Sequence, residues 1–192
     1  MFDGSGDEWV AELDGQGAQL KRSIPGTTEP RTALTLFQAL IKPARFELVL
    51  QKGTELGIGR FVPFLSERCV TTGARAERWR TIVTEAAEQS GRRIVPTVAE
   101  VRSFSEVLVE ASAGSPAIMP WEGEVGATVA SVYRPAPKSS LIVGPEGGFT
   151  PEEVEQARAH GAVTVSLGRR ILRSETAAIV AATLLLHSSG EL

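Results

Sequence analysis

The spacing of apolar and polar positions along the chain changes between a period typical of strands and one typical of helices. From residue 31 onward, this spacing predicts strands that alternate with helices. Short apolar runs at 31–40 and 60–66 predict buried strands, whereas 43–57 places its apolar residues on one helical face and ends at a glycine. This alternation favours an α/β domain with a largely parallel sheet. Further strands are predicted at 94–98, 116–120, 139–144 and 162–168, and further helices at 74–92, 104–112, 125–133, 151–160 and 175–187.

The first thirty residues have a different pattern, which is typical of β-structure. A turn at 3–8 precedes strand candidates at 9–15 and 18–24, and Asp-Gly followed by a further glycine is a hairpin signal. Only Met1 and Phe2 precede that turn, and two residues cannot form a useful ladder. We therefore expect residues 1–30 to be part of a β-domain whose earlier strands would precede Met1, and residues 31–192 to form a second domain.

Composition places the chain among ordinary soluble proteins, with 42% hydrophobic and 22% charged residues. The longest nearly apolar run, Thr176 to Leu186, is shorter than the roughly 20 residues that a membrane span needs. The start of the chain is acidic, where an export signal would be basic and then apolar. A single cysteine, Cys69, excludes an internal disulfide and a cysteine-cluster zinc site. These features predict a cytoplasmic protein with no membrane partner.

The net charge of −3 conceals a basic middle segment. Residues 31–100 carry 11 basic and 7 acidic side chains, while the segments on either side are acidic. Such an excess could face nucleic acid, and a solvated surface of mixed charge would have the same composition. The charge pattern leaves both interpretations open.

A glycine-rich loop at 143–150, "VGPEGGFT", follows a predicted strand and precedes a helix with a complete start signal. Thr150 can be the N-cap, Pro151 suits the first turn, and Glu153 completes a capping box. Such a loop could bind phosphate on its backbone N–H groups, but the Glu146 carboxylate inside it would repel phosphate. The loop is therefore either a simple turn or a site for a ligand that is not a phosphate.

A second loop, at 166–178, also follows a predicted strand and mixes apolar with charged residues. It holds Gly168, two arginines, the apolar pair Ile171 and Leu172, and then Arg173 and Glu175. If both loops lie at one edge of the sheet, they suit an aromatic ring and ribose that carry a cation. The alternative is that Ile171 and Leu172 cap the core while the charged residues are solvated.

Other sets of catalytic residues find little support in the sequence. Neither His160 nor His187 has metal-ligand spacing, and each lies near the end of a predicted helix, so we expect no metal site. Nucleotide fingerprints of the G-x-G-x-x-G and Walker types are absent, as is a G-x-S-x-G nucleophile elbow.

Four segments in order resemble the RsmE family of bacterial 16S ribosomal RNA uridine N3-methyltransferases, in the SPOUT superfamily. The resemblance runs from about Thr32 to the C-terminus and rests on "LVLQKGTELGIGRFVPFLSERCV", "RWRTIVTEAAEQSGR", "LIVGPEGGFTPEEVEQARAHG" and "VSLGRRILRSETAAIVAATLLL". It implies a SPOUT-type parallel α/β sheet with a C-terminal trefoil knot, preceded by a truncated PUA-like β-barrel fragment at 1–30. It also implies a homodimer that transfers methyl from S-adenosylmethionine to uridine N3 in small-subunit ribosomal RNA.

The resemblance also implies roles for particular residues. Arg173 would stabilise the uracil anion and Glu175 would remove or relay the N3 proton, although Glu175 could instead serve only as a first-turn carboxylate that complements the helix dipole. Candidates for substrate binding are Glu55, Arg68, Glu85 and Gln89. The S-adenosylmethionine pocket would be formed by Met119, Pro120, Gly144, Pro145, Glu146, Gly147, Gly148, Leu167, Gly168, Ile171, Leu172 and Arg173.

Two other functions remain as alternatives. A non-catalytic relative that binds cofactor or RNA would share the same motifs. The short N-terminal barrel is the feature that would disable it. A doubly wound nucleotide-binding protein of another class would share the alternation of strands and helices. Binding of S-adenosylmethionine without methylation would favour the first, and tight binding of ATP or NAD would favour the second.

Overall fold

The N-terminal part of the chain forms a small antiparallel hairpin. The computed structural model describes residues 6, 9–13, 15, 17–24, 28–70, 73–113 and 117–192. Strands β1 (Trp9–Leu13) and β2 (Ala18–Ser23) pair antiparallel, which confirms the two predicted strands, and none of their residues is buried. Met1, Phe2 and most of the predicted turn at 3–8 lie outside the described residues.

The rest of the described chain is organised around a parallel sheet, as predicted. The strand order is β5-β4-β3-β8-β7-β9, with β6 also paired to β4, and every pair is parallel. The sequence did not predict β6. The strands are β3 (Ala33–Ala39), β4 (Arg60–Leu65), β5 (Thr97–Val98), β6 (Arg102–Ser103), β7 (Ala117–Pro120), β8 (Lys138–Val143) and β9 (Val163–Val165).

The described residues contain six helices, of which five lie between strands and the last follows β9, and their positions confirm the predicted ones. Gly57 and Gly91 end the first two helices in left-handed conformations, with φ of 108° and 70°. The helices are α1 (Pro43–Leu56), α2 (Ala76–Ser90), α3 (Phe104–Ala111), α4 (Val129–Val132), α5 (Pro151–Ala159) and α6 (Ser174–Ser188). No helix within the described ranges is both long and apolar enough to cross a membrane.

Three predicted elements are much shorter than expected: the predicted strand 162–168 is reduced to β9, and each of the other two has a local cause. Only Thr97 and Val98 of the predicted strand 94–98 form β5, because Pro96 has no N–H to donate to a ladder. The predicted helix 125–133 is reduced to α4, since Thr128 forms a capping box with Ser131 and starts the helix there.

Helices cover both faces of the sheet, so its central strands are buried on both sides. Phe46 of α1, Trp79 of α2 and Leu185 of α6 belong to one core cluster, and Val107 of α3 and Val154 of α5 belong to the other. This arrangement explains why consecutive residues of β3, β4 and β8 are buried, instead of every second residue.

A buried ion pair attaches the segment before β3 to the ends of α1 and α2. The guanidinium of Arg92, 5% exposed, donates to the Glu29 carboxylate and also to the carbonyl oxygens of Thr54 and Ile58. The backbone N–H groups of Arg93 and Ile94 donate to the same carboxylate, at 2.9 and 3.1 Å. The segment around residue 29 is therefore fixed against the parallel-sheet domain.

We predict that Glu29→Ala lowers the free energy of unfolding by about 2 kcal/mol, because it leaves the buried Arg92 guanidinium short of an acceptor. Urea denaturation followed by circular dichroism measures the change. The exposed pair Lys21 and Glu12 supplies the control, and Glu12→Ala is expected to change the stability by less than about 0.5 kcal/mol. Equal effects of the two substitutions would contradict the prediction.

Candidate functional site

Three loops meet at one edge of the sheet. Strands β8, β7 and β9 are neighbours and run parallel, so the loops that follow Val143, Pro120 and Val165 leave the sheet at the same end. Ligands bind preferentially at the carboxyl ends of strands in such sheets. Two adjoining pockets lie between these loops and form one cleft, because they share Pro120, Glu122, Ile171, Leu172 and Ala177.

Two glycines of the 143–150 loop cannot be replaced without a clash. A Cβ on Gly144 would lie 2.9 Å from the Phe149 ring. Gly148 has a φ of +69°, and a Cβ there would lie 2.5 Å from Oε1 of Glu122. The backbone of this loop therefore lies directly against the wall of the cleft, where a ligand can approach its peptide groups.

The helix that follows the loop is capped as the sequence predicts. The N–H of Glu153 donates to the Thr150 hydroxyl, and the N–H of Thr150 donates to the Glu153 carboxylate at 2.9 Å. The second oxygen of the Glu153 carboxylate accepts from the N–H of Glu67, also at 2.9 Å. The capping carboxylate therefore also holds the 66–70 loop beside the cleft.

Glu146 turns away from the centre of its own loop and toward the start of α1. Its Oε1 accepts from the N–H of Lys42 at 3.1 Å and lies 3.7 Å from the Arg45 guanidinium. The start of α1 has no side-chain cap, so the carboxylate complements the positive end of that helix. Oε2 of Glu146 is buried and has no hydrogen-bond partner among the described residues, which leaves one acceptor for a ligand.

Glu175 lies in the first turn of α6 and is 7% exposed. Its Oε1 is 3.6 Å from Nε of Arg45, and its Oε2 is buried and accepts no hydrogen bond from the part of the chain that the structure describes. Arg45 therefore contacts carboxylates from two different segments. Leaving a carboxylate oxygen unpaired at such depth is costly unless a ligand or water donates to it.

A buried serine joins the start of α6 to the glycine-rich loop. The hydroxyl of Ser174 donates to the carbonyl oxygen of Gly144 at 2.5 Å and accepts from Nε2 of Gln38 at 3.0 Å. Gln38 is fully buried near the end of β3. This chain of hydrogen bonds fixes Glu175 relative to the cleft.

The 166–178 loop contributes an apolar wall to the cleft. Leu172 is half-buried and lines both pockets, whereas Ile171 is 89% exposed at the rim. The alternative in which Ile171 caps the core is therefore wrong, because its side chain is not packed in the interior. Gly168, with a φ of +113°, donates its N–H to the Ser166 hydroxyl and turns the loop.

The structure brings most of the proposed cofactor residues to this cleft, with two exceptions. Met119 is fully buried in the core and Arg173 is exposed at the N-cap of α6, and neither lines either pocket. The residues that line the cleft are Pro120, Gly144, Pro145, Glu146, Gly147, Gly148, Leu167, Gly168, Ile171 and Leu172.

The residues proposed for substrate binding lie in two places. Glu55, Glu85 and Gln89 line a groove between α1 and α2, together with Arg78. The guanidinium of Arg68 instead donates to the carbonyl oxygen of Gly147 at 3.0 Å, so it lies on the glycine-rich loop.

Sequence reasoning missed several residues of the cleft. Glu122 lines both pockets, Gln38 and Ser174 fix the loop, and Arg45 joins the two carboxylates. The sequence did contain one signal for Arg45, which lies in the first turn of α1. A basic residue there opposes the helix dipole, so its presence indicates a nearby carboxylate. In the part of the chain that the structure describes, no three histidine, cysteine or acidic side chains gather to hold a metal ion.

The loop after β7 is held by a second carboxylate, Glu124. One of its oxygens accepts from the N–H groups of Val125, Gly126 and Ala127, and the other accepts from the Thr164 hydroxyl at 2.7 Å. The Thr164 hydrogen bond, followed by the backbone donors, lowers the pKa of Glu124 from its ordinary value near 4.5 to about 2.

This pKa predicts a pH dependence of stability. A carboxylate whose pKa is lower in the folded state stabilises the protein above about pH 4.5, and the contribution disappears as the pH falls toward about 2. The difference in Tm between the wild type and Glu124→Gln should therefore be constant near neutral pH and shrink in acid. Thermal unfolding from about pH 6 to about pH 2.5 measures it, and a difference that does not change with pH would contradict the assignment.

Comparison with known proteins identifies the class and then the family. The profile of the RNA methyltransferase domain matches residues 28–186, so the sheet and its cleft are those of an RNA methyltransferase domain. The chain is 36% identical over 184 residues to the ribosomal RNA small subunit methyltransferase E of Mycobacterium bovis and covers 70% of that protein. The chain therefore belongs to the ribosomal RNA small subunit methyltransferase E family.

Other relatives of the same name are longer than this chain. The Synechocystis protein is 38% identical over 192 residues, which cover 94% of this chain and 63% of that protein. The Bacillus subtilis protein is 41% identical over 155 residues, which cover 74% of this chain and 60% of the relative. The chain thus spans about three fifths of the length of these two relatives.

Two similar solved structures contain a cofactor. One is a ribosomal RNA small subunit methyltransferase E from Neisseria gonorrhoeae bound to S-adenosyl methionine, with 32% identity and a TM-score of 0.89. The other is a methyltransferase from Legionella pneumophila in complex with the cofactor SAM, with 30% identity and a TM-score of 0.87. Each alignment covers 97% of this chain and 81% of the other.

Proposed function

We propose that the chain transfers the methyl group of S-adenosylmethionine to N3 of a uridine in the 16S RNA of the small ribosomal subunit. The observation that carries this proposal is the cleft at the carboxyl ends of β7, β8 and β9, where glycine backbone, an apolar wall and the Glu146 carboxylate meet, and where Ser174, the neighbour of Glu175, also lines the wall. The family assignment and the cofactor in two similar structures support the same function.

The residues of the cleft fit S-adenosylmethionine better than a nucleoside phosphate. At Gly144 and Gly148 the bare backbone lies against the wall of the cleft, where a Cβ would clash with Phe149 or Glu122, and Leu172 offers an apolar surface for an adenine ring. Carboxylates suit ribose hydroxyls and a positively charged sulfonium, and Glu122 and Glu146 both line the cleft. A phosphate group would be repelled by the same two side chains.

When bound, S-adenosylmethionine would supply an electrophilic methyl group on its sulfonium. Uridine N3 must lose its proton before it can form the new N–C bond, and the negative charge then spreads onto the flanking carbonyl oxygens. Glu175 can accept or relay that proton at its unpartnered Oε2. Arg173, which is exposed at the N-cap of α6, would stabilise the uracil anion as the base enters.

Several finer features belong to the same proposal. Residues 1–30 would be a remnant of a PUA-like β-domain, residues 31–192 would be the SPOUT methyltransferase domain, and the protein would act as a cytoplasmic homodimer. Contact with RNA would involve Arg68 and the groove that holds Glu55, Glu85 and Gln89. The apolar helix α6 would form part of the dimer contact.

A trefoil knot is also part of this proposal. Strand β9 lies at the edge of the sheet, whereas α6 packs against α1 and β3 nearer its centre. The chain between them passes the loop 121–128, where Ser166 donates its N–H to the carbonyl oxygen of Ala127. A C-terminal segment that returns through such a loop supports threading, which is rare in proteins.

Titration calorimetry tests the cofactor class. We expect the wild type to bind S-adenosylmethionine in the micromolar range, which corresponds to about −8 kcal/mol, and to show no measurable binding of ATP or NAD. Tight binding of ATP or NAD without binding of S-adenosylmethionine would contradict the proposal and favour the doubly wound nucleotide-binding alternative.

A further inference from the structure

We propose that Arg45 is a positioning residue that couples the cofactor loop to the catalytic carboxylate. This inference rests on the proposed function and adds a residue that the proposed mechanism does not use. Its basis is one guanidinium that lies between Glu146 of the glycine-rich loop and Glu175 of α6.

The geometry makes Arg45 a shared partner. Its NH1 is 3.7 Å from Oε1 of Glu146, and its Nε is 3.6 Å from Oε1 of Glu175. The side chain of Arg45 is 32% exposed, while those of Glu146 and Glu175 are 20% and 9% exposed. Ion pairs at this depth are screened less by solvent than surface pairs, so a change at one carboxylate affects the other.

Among the charged groups that the structure describes at this site, Arg45 is the one that links the two carboxylates. The carboxylates of Glu146 and Glu175 would repel each other across this region without a cation between them. The Lys42 backbone N–H binds Glu146 but does not reach Glu175, and Arg173 is exposed at the N-cap. Arg45 is the cation within 4 Å of both carboxylates among the ion pairs of the described residues.

Each carboxylate gives Arg45 one oxygen and keeps the other oxygen buried and unpartnered. Arg45 thus helps to orient both free oxygens, together with the Lys42 N–H at Glu146. The cofactor would bind beside Glu146 and the uracil beside Glu175. A cofactor that hydrogen-bonds to the Glu146 carboxylate would then shift the Arg45 guanidinium, and with it the position of the Glu175 carboxylate. Cofactor binding would therefore affect the Glu175 carboxylate through Arg45, which contacts neither reacting atom.

A double-mutant cycle tests this coupling. The affinity for S-adenosylmethionine is measured by calorimetry for the wild type, Glu146→Gln, Glu175→Gln and the double variant. The same four affinities are then measured with Arg45→Met added, and again with Arg45→Lys. Arg80→Met is the control background, because within the described ranges the Arg80 side chain pairs with Glu77 alone, on the exposed surface of α2.

With Arg45 present, the effect of E146Q on affinity should change by about threefold or more when E175Q is added. In the R45M background, the changes in affinity caused by E146Q and E175Q should be independent, so that the double variant shows their product. R45K should restore part of the coupling, and R80M should leave it intact. Loss of kcat together with a higher KM is expected for R45M, whereas a purely structural defect would lower only the active fraction.

The outcomes separate this inference from the function on which it rests. A wild type that binds no S-adenosylmethionine would overturn both. A wild type that binds and methylates, with independent effects of E146Q and E175Q while Arg45 is present, would overturn only the role of Arg45. That comparison does not require the R45M variant to fold.

Discussion

Replacement of Glu175 by glutamine is expected to lower the rate of methyl transfer by about 100- to 1,000-fold, with the affinity for S-adenosylmethionine within about threefold of the wild type. Glutamine keeps the shape of the side chain and its hydrogen-bond acceptor, but it cannot take up a proton at neutral pH. The 7% exposure of Glu175 leaves little room for water to replace the carboxylate as the base. Single-turnover kinetics with the cofactor in excess measure the chemical step.

Glu152→Gln is a matched control, because Glu152 occupies the same position in the first turn of α5 but is exposed. A carboxylate that only complements a helix dipole contributes about 0.3 to 1 kcal/mol to stability and nothing to the chemistry. If Glu175 had only that role, E175Q would resemble E152Q, with a small loss of stability and full activity. That result would end the assignment of Glu175 as the base.

Replacement of Gly148 by valine is expected to weaken S-adenosylmethionine binding by about 100-fold, since a misplacement of about 1 Å in a site can have an effect of that size. Its φ of +69° is unfavourable for a residue with a Cβ, and that Cβ would press on the Glu122 carboxylate at the wall of the cleft. Calorimetry measures the affinity and urea denaturation measures the stability of the same variant.

Gly161→Val separates strain in the backbone from obstruction of the cleft. Gly161 has a similar φ of +86°, but no atom lies within 4 Å of a Cβ built there. Both variants should lose about 1 to 2 kcal/mol of stability to the left-handed conformation, and only G148V should lose cofactor affinity. Equal losses of affinity in the two variants would contradict the placement of the cofactor beside Gly148.

The sequence was most informative where the signals are local. The period of apolar residues located the helices, Gly57 and Gly91 marked two helix ends, and Thr150 with Glu153 predicted a capping box that the structure contains. These features depend on residues a few positions apart. The parallel sheet was predicted in the same way, from the alternation of strands and helices.

The features that the sequence did not predict depend on distant contacts. Arg45 meets Glu146 and Glu175 only because β3, β8 and the start of α6 come together in the folded sheet. The buried bonds from Gln38 to Ser174 and from Ser174 to Gly144 likewise join three separate segments. Residue type and local spacing carry no information on such pairs. The sequence therefore pointed to Arg173, the nearest cation along the chain, as the partner of Glu175.

Mass spectrometry of ribosomal RNA tests the central claim most directly. Unmethylated small subunits are incubated with the protein and S-adenosylmethionine, and their nucleosides are analysed for N3-methyluridine, with an upstream-extended form of the chain assayed in parallel. We expect N3-methyluridine to form in 16S RNA with both forms and to depend on Glu175, whereas activity of the extended form alone would contradict the proposal for this chain. Cofactor binding without N3-methyluridine from either form would contradict the proposed function and favour a non-catalytic relative.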